Sequence, residues 1–339
     1  MLKLLVLLSK RQPPSSRLRM TACFDEFRKH GIDPMGLPIP SDPMGRIRML
    51  REAARHDVVI IQKKTSFHGF ELKLLRRANP RLIFDMDDAV MFHELEHHQP
   101  LTGKNFLKFL RTIDHCAGVV AGNRFLAGFA QANCPRVTVL PTPVDIARCL
   151  PKDHATTTDT VTIGWLGVSG NLHYLETLAP VFRQLAQEFP QFRLKIVSNA
   201  FIDMEGVPLI KERWSLEGEA ASLASFDIGL MPLNDTLWAR GKCGYKILQY
   251  FGAGVPAVAS PVGINSEFVQ HGRNGFLATD AGEWLTALRS LLADAALRQQ
   301  MGANGRRSLE EKYSLQRYVE RYADFIDEVC GRPVSLATV

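Results

Sequence analysis

Short, mostly apolar runs alternate along this chain with stretches in which apolar residues recur every three or four positions. Runs of the first kind occupy Leu4–Leu8, Val58–Ile61, Leu82–Phe84, Gly118–Val120 and Val137–Leu140. Apolar on both faces, they predict buried parallel strands. The helical period between them predicts helices over Arg17–Lys29, Leu72–Ala78, Phe106–His115 and Arg124–Ala132. Pro141-Thr142-Pro143, Pro151 and the polar run Lys152–Thr160 then break the pattern and predict an inter-domain linker. The second half repeats the alternation. Strands are predicted at Val161–Leu166, Phe192–Val197, Ile228–Leu230, Val255–Ala259 and Phe276–Ala278. Helices are predicted at Leu172–Glu188, Glu217–Ala224, Gly244–Ala253, Glu283–Leu292, Ala295–Lys312 and Leu315–Val329. Strands alternating with helices imply a doubly wound α/β sheet in each half.

A length of 339 residues exceeds the usual size of one core, so two domains are expected. With 46% hydrophobic and 22% charged residues the composition is that of an ordinary globular protein. No apolar run approaches the ~18–20 residues of a membrane span. The apolar run between Lys3 and Ser9 is too short for a signal-peptide core. The six cysteines are scattered without a C-x-x-C, which points to reduced thiols and a cytoplasmic protein. The net charge of +6 favours anionic partners such as nucleotides, phosphorylated lipids or the surface of the inner membrane. Without a concentrated Lys/Arg run or an aromatic platform, nucleic acid is not expected.

The most informative stretch is Ala239–Val262, in which Arg240, Lys242 and Lys246 surround Gly241 and Gly244. On a helix, Lys242, Lys246 and Gln249 at i, i+4 and i+7 share one face. Cations in a first turn oppose the macrodipole by roughly 0.3–1 kcal/mol each. A bound phosphate offsets that cost, whereas the alternative is a surface helix with two lysines. Ile163–Asn171 reads as a strand entering a turn with Gly167, Ser169, Gly170 and Asn171. It is neither a P-loop nor G-x-G-x-x-G, so a nicotinamide cofactor is disfavoured. The turn either brings backbone amides to an anion or is purely structural. Ser15-Ser16-Arg17-Leu18-Arg19 places a Ser15 or Ser16 cap before two cations, as a second phosphate-facing turn or a solvated basic one.

Phe84–Ala89 ends a strand with Asp85, Asp87 and Asp88, where open α/β sheets place ligands. These carboxylates suit sugar hydroxyls, a base or a hard cation, or one of them caps the next segment. His93–His97 matches H-E-x-x-H, but its charged context and nearby Pro100 argue against a zinc protease. Asn199 and Trp214 fit contacts to a nucleotide base, or equally a turn residue and a core aromatic. Asp227 reads as structural, and Glu267 as a candidate for the same ligand.

In order along the chain, G-W-L-G-V-S-G-N, F-D-I-G-L-M-P-L, G-K-C-G-Y-K-I-L-Q-Y-F-G-A-G-V-P-A-V-A-S and P-V-G-I-N-S-E-F-V-Q-H-G-R-N-G-F-L resemble the glycosyltransferases of family 4. S-S-R-L-R and F-D-M-D-D-A look like a branch of the same family. The resemblance implies a GT-B fold: two Rossmann-like doubly wound domains facing a central cleft. These would be residues 1–150 on the acceptor side and 151–314 holding the donor, with the final helix, 315–330, crossing back to the N-terminal domain. It implies transfer of a sugar from a nucleoside diphosphate, of the UDP or GDP type, to a glycan or lipid-linked acceptor. The anomeric configuration would be retained, with no cofactor and no metal.

The donor would be held by Gly167, Ser169, Gly170, Asn171, Asn199, Arg240, Gly244, Tyr245 and Gln249. Lys242 and Lys246 would carry the catalysis, and Ser16, Arg17, Asp85, Asp87 and Asp88 would face the acceptor. Two departures stand out. The family's paired glutamates align with Gly241 and Gln249, and the turn after Gly167 lacks the usual Arg and Lys, whose charge would pass to Lys242, Lys246 and Arg240. A sugar-nucleotide epimerase and a non-catalytic nucleotide-sugar-binding protein are the rival readings.

Overall fold

The computed structural model describes residues 1–9, 14–92, 101–153 and 159–333. The first part of the chain runs β1 (Leu2–Leu8), α1 (Pro14–Arg19), α2 (Phe24–Lys29), β2 (Ile32–Pro38), α3 (Pro43–Arg55), β3 (Val58–Gln62), α4 (Gly69–Ala78), β4 (Leu82–Met86), α5 (Lys104–Ile113), β5 (Gly118–Ala121), α6 (Arg124–Gln131) and β6 (Val137–Val139). It continues with β7 (Val161–Leu166), α7 (His173–Glu176), α8 (Ala179–Glu188), β8 (Phe192–Ser198), β9 (Leu209–Arg213), α9 (Glu219–Ala224), β10 (Ile228–Met231) and α10 (Leu237–Arg240). The remainder is α11 (Tyr245–Gly252), β11 (Ala257–Ala259), α12 (Asn265–Phe268), β12 (Gly275–Leu277), α13 (Ala281–Ala293), α14 (Ala295–Lys312) and α15 (Leu315–Cys330).

Among the described residues these strands form two six-stranded parallel sheets, ordered β2-β1-β3-β4-β5-β6 and β12-β11-β10-β7-β8-β9. The chain divides into two compact units. The first comprises Met1–Pro143, Thr236–Cys243 and Leu315–Val339, and the second Val144–Asp235 and Gly244–Ser314. Besides Met1–Pro143, the first unit includes an eight-residue stretch and the final helix from much later in the chain. Helix α15 buries Leu315, Tyr318, Val319, Tyr322, Phe325 and Ile326 among apolar residues of β1, β3 and α2. Gly118 makes room for it, since a Cβ there would lie 2.8 Å from the Phe325 ring.

Several elements differ from the sequence expectation for identifiable reasons. β2, with Pro34, Gly36 and Pro38, is an edge strand, where a sheet tolerates proline. β9 is the opposite kind of edge, L-I-K-E-R, charged and largely solvent-facing. The expected helix Leu172–Glu188 is two helices, because Pro180 can stand only in the first turn of α8. The expected helix Arg17–Lys29 breaks around Met20–Cys23. α3 is defined by its start: Asp42 accepts from the Gly45 amide at 2.7 Å and Pro43 occupies the first helical position.

In each sheet the chain leaves its first strand in one direction and later returns on that strand's other side. The reversals fall between β1 and β3 and between β7 and β10. Ligands of open α/β sheets bind at the carboxyl ends of the strands beside such reversals. Those ends carry Gln62 and the Asp85–Asp88 stretch in the first unit, and Gly167–Asn171 in the second.

Candidate functional site

In the second unit, β7 delivers the chain into the Gly167–Asn171 turn. Gly167 is demanded by packing: a Cβ there would lie 2.6 Å from the Trp165 ring and 2.9 Å from Lys246 Cε. Lys246, in the first turn of α11, lays its stem against this turn with Nζ 5.5 Å from the centre of the Trp165 ring. The turn is also held from β8. Asn199 accepts from the Ser169 amide at 2.9 Å and donates to Ser169 Oγ at 3.2 Å. Gly167 N donates to Val197 O and Asn171 N to Val168 O. The Val168 and Gly170 amides are therefore the ones left without a hydrogen-bond partner among the described residues, and the space above Gly170 is open. Two amides, not five, are available to an anion.

α11 starts from Gly244 in the left-handed conformation, φ +61°, where a Cβ would meet Ile264 and Phe268. The helix is buried on every side from Ile247 to Gly252, so it is not the amphipathic helix expected. Gln249 is buried within it. Tyr245 stands half-buried beside Lys246. Trp214, at the end of β9, is partly exposed and donates to Glu219, and Glu267 is exposed on α12. Asp227 is structural: it accepts from Thr162 N and pairs with Lys152.

The shared helix face of Lys242, Lys246 and Gln249 does not exist, because Lys242 precedes the helix and belongs to the first unit. Arg240 ends α10, where the dipole favours a cation instead of opposing it. The residues between are fastened by Asn123, a fully buried side chain whose Nδ2 donates to the carbonyls of Arg240 at 3.1 Å and Lys242 at 3.0 Å. Its Oδ1 also caps α6. Gly241 has an ordinary φ of −82°, so its absent side chain answers to packing: a Cβ would lie 2.5 Å from Ala89 Cβ and 3.0 Å from Ala89 N. The alanine of F-D-M-D-D-A and this glycine are a matched pair. Gly241→Glu, which puts a side chain into this space, is expected to destabilise the first unit by about 1–3 kcal/mol. A urea melt no less stable than the parent's would show that the turn yields freely.

The acceptor-side residues of the first unit separate into two sets. Asp85 is a structural anchor, not a ligand-facing group. It forms a buried bidentate pair with Arg19 (Nε–Oδ1 2.9 Å, Nη2–Oδ2 2.7 Å) and accepts from Tyr322. Arg19, equally buried, also donates to Leu140 O and stacks on Tyr318. Ser15 and Ser16 lie inside α1, which begins at Pro14, so neither caps it.

Asp87 and Asp88 both pair with Lys63, at 3.1 Å for Asp87. Lys63 has φ +56°, the one described non-glycine residue with positive φ, and such strain gathers at functional sites. Burial and then the neighbouring Asp88 push the Asp87 carboxyl up to about 6, against the pull of Lys63. Burial lowers the Lys63 ammonium, but Asp87 and Asp88 outweigh it and hold it above its usual range.

Ser16 Oγ donates to Gln62 Oε1 at 2.6 Å, leaving Gln62 Nε2, Ser15 Oγ and Asp87 Oδ1 buried without hydrogen-bond partners among the described residues. Asp87 Oδ1 has Lys63 at ion-pair distance but not in hydrogen-bond alignment. Unsatisfied polar atoms at a strand-end crevice suit a hydroxyl-rich ligand. Arg17 is half-buried nearby on α1. Lys63, Gln62 and Asn123 were not singled out by sequence reasoning. A Gln-Lys-Lys ending an apolar run was the available signal for the first two. His93–His97 lies outside the described residues.

Residues 159–294 match the family described as Glycosyl transferases group 1. No curated protein matches the chain in sequence. Among solved structures it is similar to Anabaena HepE in complex with UDP, at 14% identity, covering 97% of this chain and 100% of that one with a TM-score of 0.70. It is similar to sucrose-phosphate synthase from Thermosynechococcus elongatus at 11% identity, 98% and 100% coverage and a TM-score of 0.72. A glycosyltransferase from Rickettsia africae matches at 11% identity, 97% and 98% coverage and a TM-score of 0.68. The chain thus has the GT-B fold and, over residues 159–294, a region matching the group 1 glycosyl transferases.

Proposed function

We propose that this chain is a glycosyltransferase that moves a sugar from a nucleoside diphosphate to a hydroxyl of a glycan or lipid-linked acceptor, with retention of configuration. The observation that carries the reading is Lys246 packed against the Gly167 turn at the carboxyl end of β7, with two unbonded amides, Val168 and Gly170, in that turn. In the related fold, HepE was solved with UDP and with UDP-glucose, which makes a uridine donor the first to try. As the anomeric carbon separates from the diphosphate, charge grows on the leaving phosphate oxygen. Lys246, the positive end of α11 and those amides stabilise it. The acceptor oxygen bonds to the anomeric carbon on the face being vacated, and its proton passes to the departing phosphate. Gln249 binds the donor ribose. Ser16, Arg17, Asp87 and Asp88 hold the acceptor.

Purified protein screened by thermal shift against UDP, GDP, ADP and CMP should select one nucleotide. At about 100 times its Kd the ligand stabilises by roughly 2.7 kcal/mol. The selected nucleotide's sugar conjugates should then lose their sugar on incubation. No shift with any nucleotide in a well-folded sample would refute the reading. Gly241 and Gln249, in place of two glutamates, favour one rival, a nucleotide-sugar-binding protein without turnover. It would show the shift and no sugar loss.

A further inference from the structure

Three helices of the first unit, α3, α4 and α5, pack side by side, α3 against α4 and α4 against α5, over one face of the sheet. Each buries a core stripe: Met49 and Ala53, Leu72 and Leu75, Phe106 and Phe109. The opposite stripe of each helix is neither polar nor apolar but both. On α3 Met44 and Ile47 are exposed beside Arg48 and Arg51. On α4 Phe70 and Leu74 are exposed beside Lys73 and Arg77, and on α5 Leu107 lies one turn from both Lys104 and Arg111. Phe70 is 65% exposed, Met44 62% and Leu107 55%, values at which each side chain is largely in water.

The charge on this layer is one-sided. The three helices hold ten Lys or Arg and two Glu, a net of +8 against +6 for the whole chain. Both glutamates are occupied, Glu52 by Arg55 and Glu71 by Arg46. Asp42 and Asp114 stand only at helix ends. The basic excess read from the whole sequence is therefore concentrated on this one layer.

We infer that the outer face of α3–α5 rests on an anionic lipid bilayer. Large apolar side chains interleaved with Lys and Arg are what the headgroup boundary accepts: the apolar groups enter the acyl edge and the cations meet lipid phosphates. A nucleic acid would satisfy the cations and leave Phe70, Met44 and Leu107 in water. No described helix is long and apolar enough to cross a membrane. This inference is independent of sugar transfer, and its test needs no donor.

Full-length protein is floated with phosphatidylcholine vesicles with and without phosphatidylglycerol. Binding is expected only with the anionic lipid, and it should fall as NaCl is raised. Each cation near an anionic leaflet strengthens binding about five-fold, so the quadruple variant Arg48→Glu, Arg51→Glu, Lys73→Glu, Arg77→Glu should lose at least about 100-fold. All four are exposed, and an unchanged circular-dichroism melt confirms the fold. Phe70→Ser with Leu107→Ser should weaken binding about ten-fold with the charge untouched. Equal binding to both vesicle types, binding to neither, or undiminished binding of the quadruple variant would overturn the inference.

Discussion

Alanine at Lys246 is expected to lower sugar transfer by about 100- to 1000-fold, the loss typical of one electrostatic donor at a developing oxyanion. The melting temperature should change little, because the side chain is only half-buried and leaves from the edge of the Gly167 turn. The loss should fall on kcat more than on KM. Charge on the leaving phosphate is greatest in the transition state, and an interaction stronger there than in the ground state acts on turnover. Lys246→Arg should recover part of the rate, whereas Lys246→Gln should not. Turnover near the parent's in a folded Lys246→Ala protein would remove this residue from the mechanism. A large rise in KM alone would reassign it to holding the donor.

The largest expected effect on stability lies at Arg19 and Asp85. Both side chains are fully buried, and each is the other's principal counter-charge. Arg19→Ala or Asp85→Ala leaves a lone charge in the core and should cost about 3–5 kcal/mol, read from urea unfolding of the first unit. Trp238, packed on that unit's core, is a local fluorescence probe for this transition. The paired replacement Arg19→Met with Asp85→Leu should be far milder than either single change, because it removes both charges together. Single variants within about 1 kcal/mol of the parent would mean that water reaches the pair. Lost activity in such variants would reflect an unfolded first unit, since both side chains are fully buried.

The sequence determined the parts of this protein that depend on local pattern. Buried parallel strands announce themselves as largely apolar runs because both of their faces are covered, and β1, β3, β4, β7 and β10 were all legible that way. The helical period located α4, α5, α6, α13, α14 and α15, and the glycine-rich turn after β7 stood out by composition. Of the four edge strands, β6 and β12 were legible, while β2 and β9 escaped because the prolines of one and the charges of the other, which an open flank admits, blur the pattern.

Only the tertiary structure decided which charges are spent on folding and which remain for chemistry. Three aspartates in F-D-M-D-D look equivalent in sequence, yet Asp85 faces Arg19 in the core while Asp87 and Asp88 share Lys63. Likewise, Lys242 and Lys246 fit one helix face by spacing, but Gly244 in the left-handed conformation starts the helix between them. The glycine at 241 likewise reads as a lost glutamate in one dimension and as space for Ala89 in three. Spacing constrains residues that share an element. Ion pairs and close backbone approaches join residues tens to more than a hundred positions apart, and those distances close only when the sheets form.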